Sequence, residues 1–183
     1  MQSTGITVER LLGRGQVMDA APDAGEAWRV ERGLLLVHSP GSWRLALPGD
    51  WLNIEALCGL PPDTRITALV PSRLQALPAL PAPGGPELLA LLVRQQRRWT
   101  DHLLALRSGS VEQRIRHLLD LVRQAVGGSR SGAAEPDLPA LRDIAALVDA
   151  APETACRVLA RLRPARKSPR PASGTARPLL ACA

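Results

Sequence analysis

The chain contains no phenylalanine and no tyrosine, and only four tryptophans among its 183 residues. Any core must therefore be built mainly from leucine, valine and alanine, and a hydrophobic content of 45% is enough to supply one. Cysteine is scarce too. Cys58, Cys156 and Cys182 are odd in number, far apart and without CxxC spacing, which argues against a disulfide framework and against a zinc or iron–sulfur centre. A reducing, cytoplasmic setting is the natural expectation. No stretch approaches the roughly eighteen apolar residues that span a bilayer, and no charged start precedes an apolar run, so a soluble protein without a membrane partner is expected. His38, His102 and His117 are too scattered to suggest a metal site. No nucleophile has a recognisable base and orienting acid, and no glycine-rich phosphate loop follows a strand. Neither an enzyme nor a cofactor is expected.

Acidic residues are also missing from one place, the end. None follows Glu153, whereas Arg157, Arg161, Arg163, Arg166, Lys167, Arg170 and Arg177 do, so the net charge of +6 is a local feature of the last thirty residues. Such a block beside a helix pair is the footprint of a polyanion partner, most simply nucleic acid, or else a solvated tail.

Seventeen prolines and fifteen glycines punctuate what remains. Residues 1–25 say little, with Val8 to Leu12 a short strand or helix. Trp28 to Gly33, Leu34 to Val37 and the alternating Trp43-Arg44-Leu45-Ala46-Leu47 read as strands, with Ser39-Pro40-Gly41-Ser42 as a hairpin turn. Trp51 to Leu57 is apolar, and Arg65 to Val70 and Arg73 to Leu77 read as further strands. Short strands between Gly/Pro turns suggest a small antiparallel barrel or jelly roll. The Pro/Ala/Gly-rich segment Pro78 to Pro86 ends it.

The period then becomes helical. Leu88, Leu92, Gln95, Trp99, His102, Leu103 and Leu106 share a stripe over about twenty residues that ends at Ser108-Gly109, and this predicts either a seam with the same helix of a second copy or a helix lying on its own barrel. Ser110-Val111-Glu112-Gln113 is a capping box. The helix it opens buries Val111, Ile115, Leu118, Leu119, Val122 and Val126 and turns Arg114, Arg116 and Arg123 outward. After the loop Gly127 to Gly132, a helix pair opens at Asp137 or Leu138.

Leu141, Ile144, Ala145 and Val148 mark the buried face of its first helix, and Ala155, Val158, Leu159 and Leu162 that of its second. Each is too short to be stable alone, so the two must pack together as a helix-turn-helix. Pro152 suits the first turn of the second helix and Glu153 favours the positive end of its dipole, although Ala151 offers no capping side chain. Asp149 stands where glycine would make the turn easily. Glu153, Arg157 and Arg161 then line the opposite face, a carboxylate able to accept from cytosine and guanidinium forks able to donate to guanine, or merely a surface salt bridge. Cys156 beside them reads as a small semi-buried filler, with a redox role the lesser alternative.

The order of a β-rich half, one long helix, a capped helix beginning Ser110-Val111-Glu112-Gln113-Arg114 and a helix-turn-helix containing Pro152-Glu153-Thr154 and Arg157-Val158-Leu159 resembles the Crp/Fnr family of bacterial transcription regulators. The resemblance covers about residues 25–162, and Val30-Glu31-Arg32-Gly33, Pro48-Gly49-Asp50 and Ile66-Thr67-Ala68-Leu69 carry it, more loosely, through the barrel. It implies an α+β chain: an effector-like, cyclic-nucleotide-binding-like barrel over 1–84, a dimerisation helix over 85–108, a winged-helix-like DNA-binding domain over 109–164 and a basic Pro-rich tail over 165–183. Glu153 and Arg157 would read bases and Thr154 would help hold phosphate, with Arg161, Arg163, Arg166 and Lys167 adding to the DNA contact. The implied partners are double-stranded DNA, a second copy of the chain and RNA polymerase, with an effector that the residues leave unidentified.

Three departures accompany the resemblance. Asn53 and Ile54 stand where the family's cyclic-nucleotide binders carry a Gly-Glu pair, and Pro62-Asp63-Thr64-Arg65-Ile66 lacks their Arg-Ser or Arg-Thr pair, so cyclic AMP binding is not expected. The barrel is short of strands at its start. Arg163 to Pro171 replaces the wing, because Pro at that density cannot form a hairpin ladder. This ending is either a basic arm on the phosphate backbone or the product of truncation or a frame change. A protein-interaction module without DNA binding, or a degenerate regulator, is the rival expectation.

Overall fold

Branched and aromatic residues alternating with charged ones make the first half extended. The computed structural model describes residues 8–19, 27–57, 60, 63–76, 85–127 and 137–162. Within them, strands β1 (Glu9–Leu12), β2 (Val17–Asp19), β3 (Trp28–Arg32), β4 (Leu35–Ser39), β5 (Ser42–Ala46), β6 (Trp51–Leu52), β7 (Arg65–Ala68) and β8 (Ser72–Ala76) form two antiparallel sheets of four, ordered β1-β8-β3-β6 and β2-β7-β4-β5. A short helix α1 (Ile54–Leu57) follows β6. The sheets close over Met18, Trp28, Val30, Leu35, Val37, Leu52, Ile66 and Leu74, which are almost wholly buried.

Two expectations change here. The start of the barrel is not short of strands, since β1 and β2 supply one edge of each sheet. Trp28–Arg32 and Leu35–Ser39, adjacent in the chain, lie in different sheets: β3 pairs with β8 and β6, while β4 pairs with β5 and β7. Gly33 between them has φ of +107°, and a Cβ there would fall 2.1 Å from the Ser72 hydroxyl, so only glycine allows the chain to cross from one sheet to the other.

The helical half is α2 (Pro86–Arg107), α3 (Val111–Val126), α4 (Leu141–Leu147) and α5 (Pro152–Leu162). None of the described helices is long and apolar enough to cross a membrane. The capping box of α3 forms as the sequence predicts, with the Ser110 hydroxyl accepting from the Gln113 N–H and the Gln113 side chain accepting from the Ser110 N–H at 2.8 Å. The buried face of α3 is rotated slightly from its expected position. Leu121 and Ala125 are buried, whereas Leu119 and Val126 are only partly so. Arg114 does not point outward but turns to the helix pair, because α4 and α5 pack beside it.

A second core joins the halves. Leu34, Leu45, Leu47, Leu69 and Val70 of the barrel pack with Leu106 of α2, with Ile115, Leu118 and Val122 of α3, and with the buried faces of α4 and α5. The backbone N–H of Gly33 donates to the Ala125 carbonyl at 2.8 Å, tying β3 to the end of α3.

Helix α2 lies on its own barrel through polar bonds as well as apolar ones. Asp50 is 1% exposed. Its carboxylate accepts from the Leu47 N–H at 2.9 Å, from the Trp99 indole N–H at 3.1 Å and from Arg98 at 2.5 Å. Gln95, 2% exposed, accepts from the Trp51 N–H at 2.8 Å and donates to the Trp51 carbonyl at 2.9 Å. Removing a buried acceptor strands its donors. Asp50→Ala should lower the unfolding free energy by about 2–3 kcal/mol, measured in urea, with Gln95→Leu less costly.

His102 of α2 and His117 of α3 approach with ring centroids 5.6 Å apart. Burial, reinforced by His117 and Arg98, pushes the His102 pKa below 6.5, and Asp50 and Asp101 only partly oppose this. The native state therefore holds fewer protons at His102 than the unfolded chain does. Its contribution is intact above about pH 6.5 and fades as the pH falls below that value. Thermal unfolding at pH 7.5 and 5.5 should show a loss on acidification, smaller in His102→Gln.

Candidate nucleic-acid interface

Helix α4 is short because its end is wrapped closed. The Asp149 N–H donates to the Ala146 carbonyl and the Ala150 N–H to the Ala145 carbonyl, at 3.3 and 3.0 Å, while Asp149 takes φ of +49°. This is a Schellman ending with aspartate in the left-handed place that glycine usually fills. α4 begins at Leu141, a few residues later than expected, since 137–140 are not helical. Leu141 is 38% exposed and so does not share the buried face of Ile144, Ala145, Leu147 and Val148.

The turn is held from behind. Arg114 of α3 donates to the Val148 carbonyl at 2.6 Å and to the Asp149 carbonyl at 3.4 Å. Arg107, at the end of α2, lies 3.4 Å from the Asp149 carboxylate and stacks 5.2 Å from the Trp43 ring centroid. The turn between α4 and α5 is thus attached to the long helix, to α3 and, through Trp43, to the barrel.

Ala155, Val158 and Leu159 anchor α5 in the core, and Leu162 is only partly buried. Glu153, Arg157 and Arg161 are all exposed on the outer side, with Thr154 half-buried beside them. Among the described residues the Arg157 guanidinium makes one weak bond, Nε donating to the Glu153 carbonyl at 3.4 Å, and it is not salt-bridged to the Glu153 carboxylate. Thr154, Arg157 and Arg161 border one shallow open surface. Cys156 is exposed as well, which corrects its reading as a semi-buried filler: α5 turns only Ala155 and Val158–Leu159 inward there. Arg163, Arg166 and Lys167, and with them the wing question, lie outside the described residues.

Of the expected seam on α2, Gln95 and Leu106 are buried in their own chain. Trp99 is hydrogen-bonded to Asp50, His102 faces His117, and Leu88 and Leu92 are half-buried along the same side. Leu103, 37% exposed, points to solvent. Two polar members of the stripe, Gln95 and Trp99, thus find partners on the barrel, while His102 meets α3. An apolar face missed in the sequence lies about a third of a turn away: Leu89, Val93 and Leu104 are 64%, 44% and 58% exposed. Charged neighbours at Arg94, Arg97 and Arg98 obscured it.

Neither a family model nor a curated protein sequence matches the chain. Solved structures do. A CRP-family transcriptional regulator from Thermus thermophilus aligns over 84% of this chain and 83% of that one, at 26% identity and a TM-score of 0.59. The chain has the fold of a Crp/Fnr-type transcription regulator. A second CRP/FNR-family regulator from the same organism aligns over 85% of both chains at 23% identity and a TM-score of 0.56. FixK2 from Bradyrhizobium japonicum aligns over 86% of this chain and 84% of its own, at 19% identity and a TM-score of 0.57. Coverage of this extent takes in barrel and helices together, so the Crp/Fnr-type arrangement is not confined to the barrel.

Since aspartate at a left-handed C′ position is strained, Asp149→Gly should raise the stability by about 1 kcal/mol. The exposed ion pair with Arg107, which glycine cannot make, contributes little against this. A denaturation midpoint that does not rise would show that the turn is not held in this conformation.

Proposed function

We propose that the chain is a sequence-specific DNA-binding transcription regulator. It acts as a homodimer that inserts α5 into the major groove of double-stranded DNA. The observation that carries this reading is the exposed row Glu153, Arg157 and Arg161 on a helix braced from behind by α3 and α4, in a chain whose fold neighbours are named as transcriptional regulators. Arg157 has a fork to offer guanine, Glu153 an acceptor for cytosine, and Thr154 and Arg161 lie where phosphate or flanking bases would be met. Arg163, Arg166 and Lys167 extend the positive charge from the same helix end.

In this reading residues 1–84 form the effector-like barrel, 85–108 the dimerisation helix, 109–164 the DNA-binding part and 165–183 a basic arm. The second copy packs against Leu89, Val93, Leu103 and Leu104, whose spacing makes a two-stranded helical seam and whose apolar surface is otherwise left in water. Two α5 helices then face successive major grooves about one DNA turn apart. Cyclic AMP is not the effector, since Ile54 offers an alkyl group where a ribose-binding carboxylate is needed. RNA polymerase is the further partner of a regulator of this kind.

The test is duplex binding by the full chain. Wild type should bind random-sequence duplex at low salt with affinity that falls steeply as salt rises, and a selected site more tightly. Arg157→Ala should remove about 1–3 kcal/mol of preference for that site while sparing most of the nonspecific binding. Leu89→Glu with Leu104→Glu should yield a monomer by sedimentation that loses the selected site. A wild-type chain that binds no duplex would leave the protein-interaction reading in its place.

A further inference from the structure

Three residues that border one cavity each carry a buried polar atom unpartnered among the described residues. It lies where β5, β6 and α1 meet α2, has a volume of about 260 Å3 and is bordered by Arg44, Trp51, Asn53, Glu55, Leu92 and Trp99. Arg44 Nε, Asn53 Nδ2 and Glu55 Oε2 are each enclosed without a hydrogen-bond partner there. A buried polar atom left unpaired costs about 1–3 kcal/mol, so three around one space mark a place made for something else to fill.

Each group is held in place by its other atoms. Asn53 is 2% exposed and sits at φ of +55°, and its Oδ1 accepts from the Thr64 hydroxyl at 3.4 Å, which leaves the amide N–H groups without an acceptor among the described residues. Non-glycine residues in this backbone region cluster at ligand sites. Arg44 donates through Nη1 to the Ser39 hydroxyl at 3.2 Å and lies 4.4 Å above the Trp99 ring centroid. Its guanidinium stands 4.0 Å from the Glu55 carboxylate, too far for a hydrogen bond. Burial outweighs the pull of Glu55 and Asp50 and lowers the Arg44 pKa from its ordinary value, so this cation is incompletely compensated.

The chemistry selects the ligand. Arg44 and Asn53 offer donors to an acceptor, and a carboxylate answers both. Glu55 offers an acceptor to a hydroxyl or amino donor. Trp51, Leu92 and Trp99 offer apolar and aromatic surface to a planar body. The volume lies just below the usual range of ligand cavities, about 300–1,000 Å3, so the occupant is small. Glu55 beside Arg44 repels added negative charge, so a doubly charged phosphate is disfavoured more than a single carboxylate. We propose that this cavity binds a small aromatic carboxylic acid that also carries a hydroxyl or amino donor, held by Arg44 and Asn53 at its carboxylate and by Glu55 at its donor. One wall is α2, so the bound molecule contacts the helix that leads to α3 and the α4–α5 turn. As the effector of a regulator this ligand rests on the function proposed above; as a bound molecule it does not.

The test is calorimetric titration of the full chain with 3-hydroxybenzoate and 2-aminobenzoate, beside benzoate, phenol and cyclic AMP. Either bifunctional acid should bind at least tenfold more tightly than benzoate or phenol. Glu55→Gln should erase that advantage over benzoate without weakening benzoate itself. Asn53→Gly, which keeps the left-handed backbone at no steric cost, should weaken every carboxylate probe at least tenfold without lowering the unfolding midpoint. Flat titrations with both acids, equal affinity for benzoate and phenol, binding of cyclic AMP alone, or unchanged affinity in both variants would each overturn the proposal. Duplex binding is read separately: a chain that binds DNA but neither acid defeats only the ligand, and one that binds an acid but no DNA defeats only the regulator.

Discussion

Asp50 is the residue on which the arrangement turns. Its backbone carbonyl accepts from the Val30 N–H at 2.9 Å, its carboxylate closes the Leu47 turn, and the same carboxylate holds Trp99 and Arg98 of α2. A buried carboxylate must be fully hydrogen-bonded to be tolerated at all, and here the donors come from the barrel and the helix alike. The helix cannot slide or roll without stranding that charge. Gln95, bonded both ways to the Trp51 backbone, adds a second constraint one helical turn away. Apolar packing alone would allow several placements of a leucine-rich helix on a leucine-rich barrel, whereas these two polar sites select one.

From that placement the rest follows by contact. With Trp99 pinned, Arg44 stacks on its ring and the cavity beneath acquires its roof. The end of α2 brings Leu106 into the second core and Arg107 to Trp43 and Asp149. α3 turns Arg114 to the carbonyls of the α4–α5 turn. A chain of packed and hydrogen-bonded groups therefore connects a ligand-sized space in the barrel with the helix that carries Glu153 and Arg157.

The sequence determined the local elements and several of their ends. The capping box at Ser110, the stop at Ser108-Gly109, Pro152 in the first turn of α5 and the left-handed Asp149 all follow from interactions within a few residues, which are written in the residues themselves. So too was the exposed row on α5, because 3.6-residue periodicity places apolar and charged positions without reference to anything distant. The resemblance to Crp/Fnr regulators rested on this local order, and the solved structures share the fold.

What joins remote segments was decided by the tertiary structure. β3 finds β8 about forty residues away, and adjacent strands part into different sheets at Gly33, because pairing is chosen by which faces can be buried together. The stripe on α2 carries the right period, but period cannot say what covers it, and only the folded chain brings Gln95 to the Trp51 backbone and Trp99 to Asp50. Arg44, Asn53 and Glu55 form no motif in the chain. They meet only because β5, the turn after β6 and α1 are brought under α2, where burial removes the water that would otherwise satisfy them.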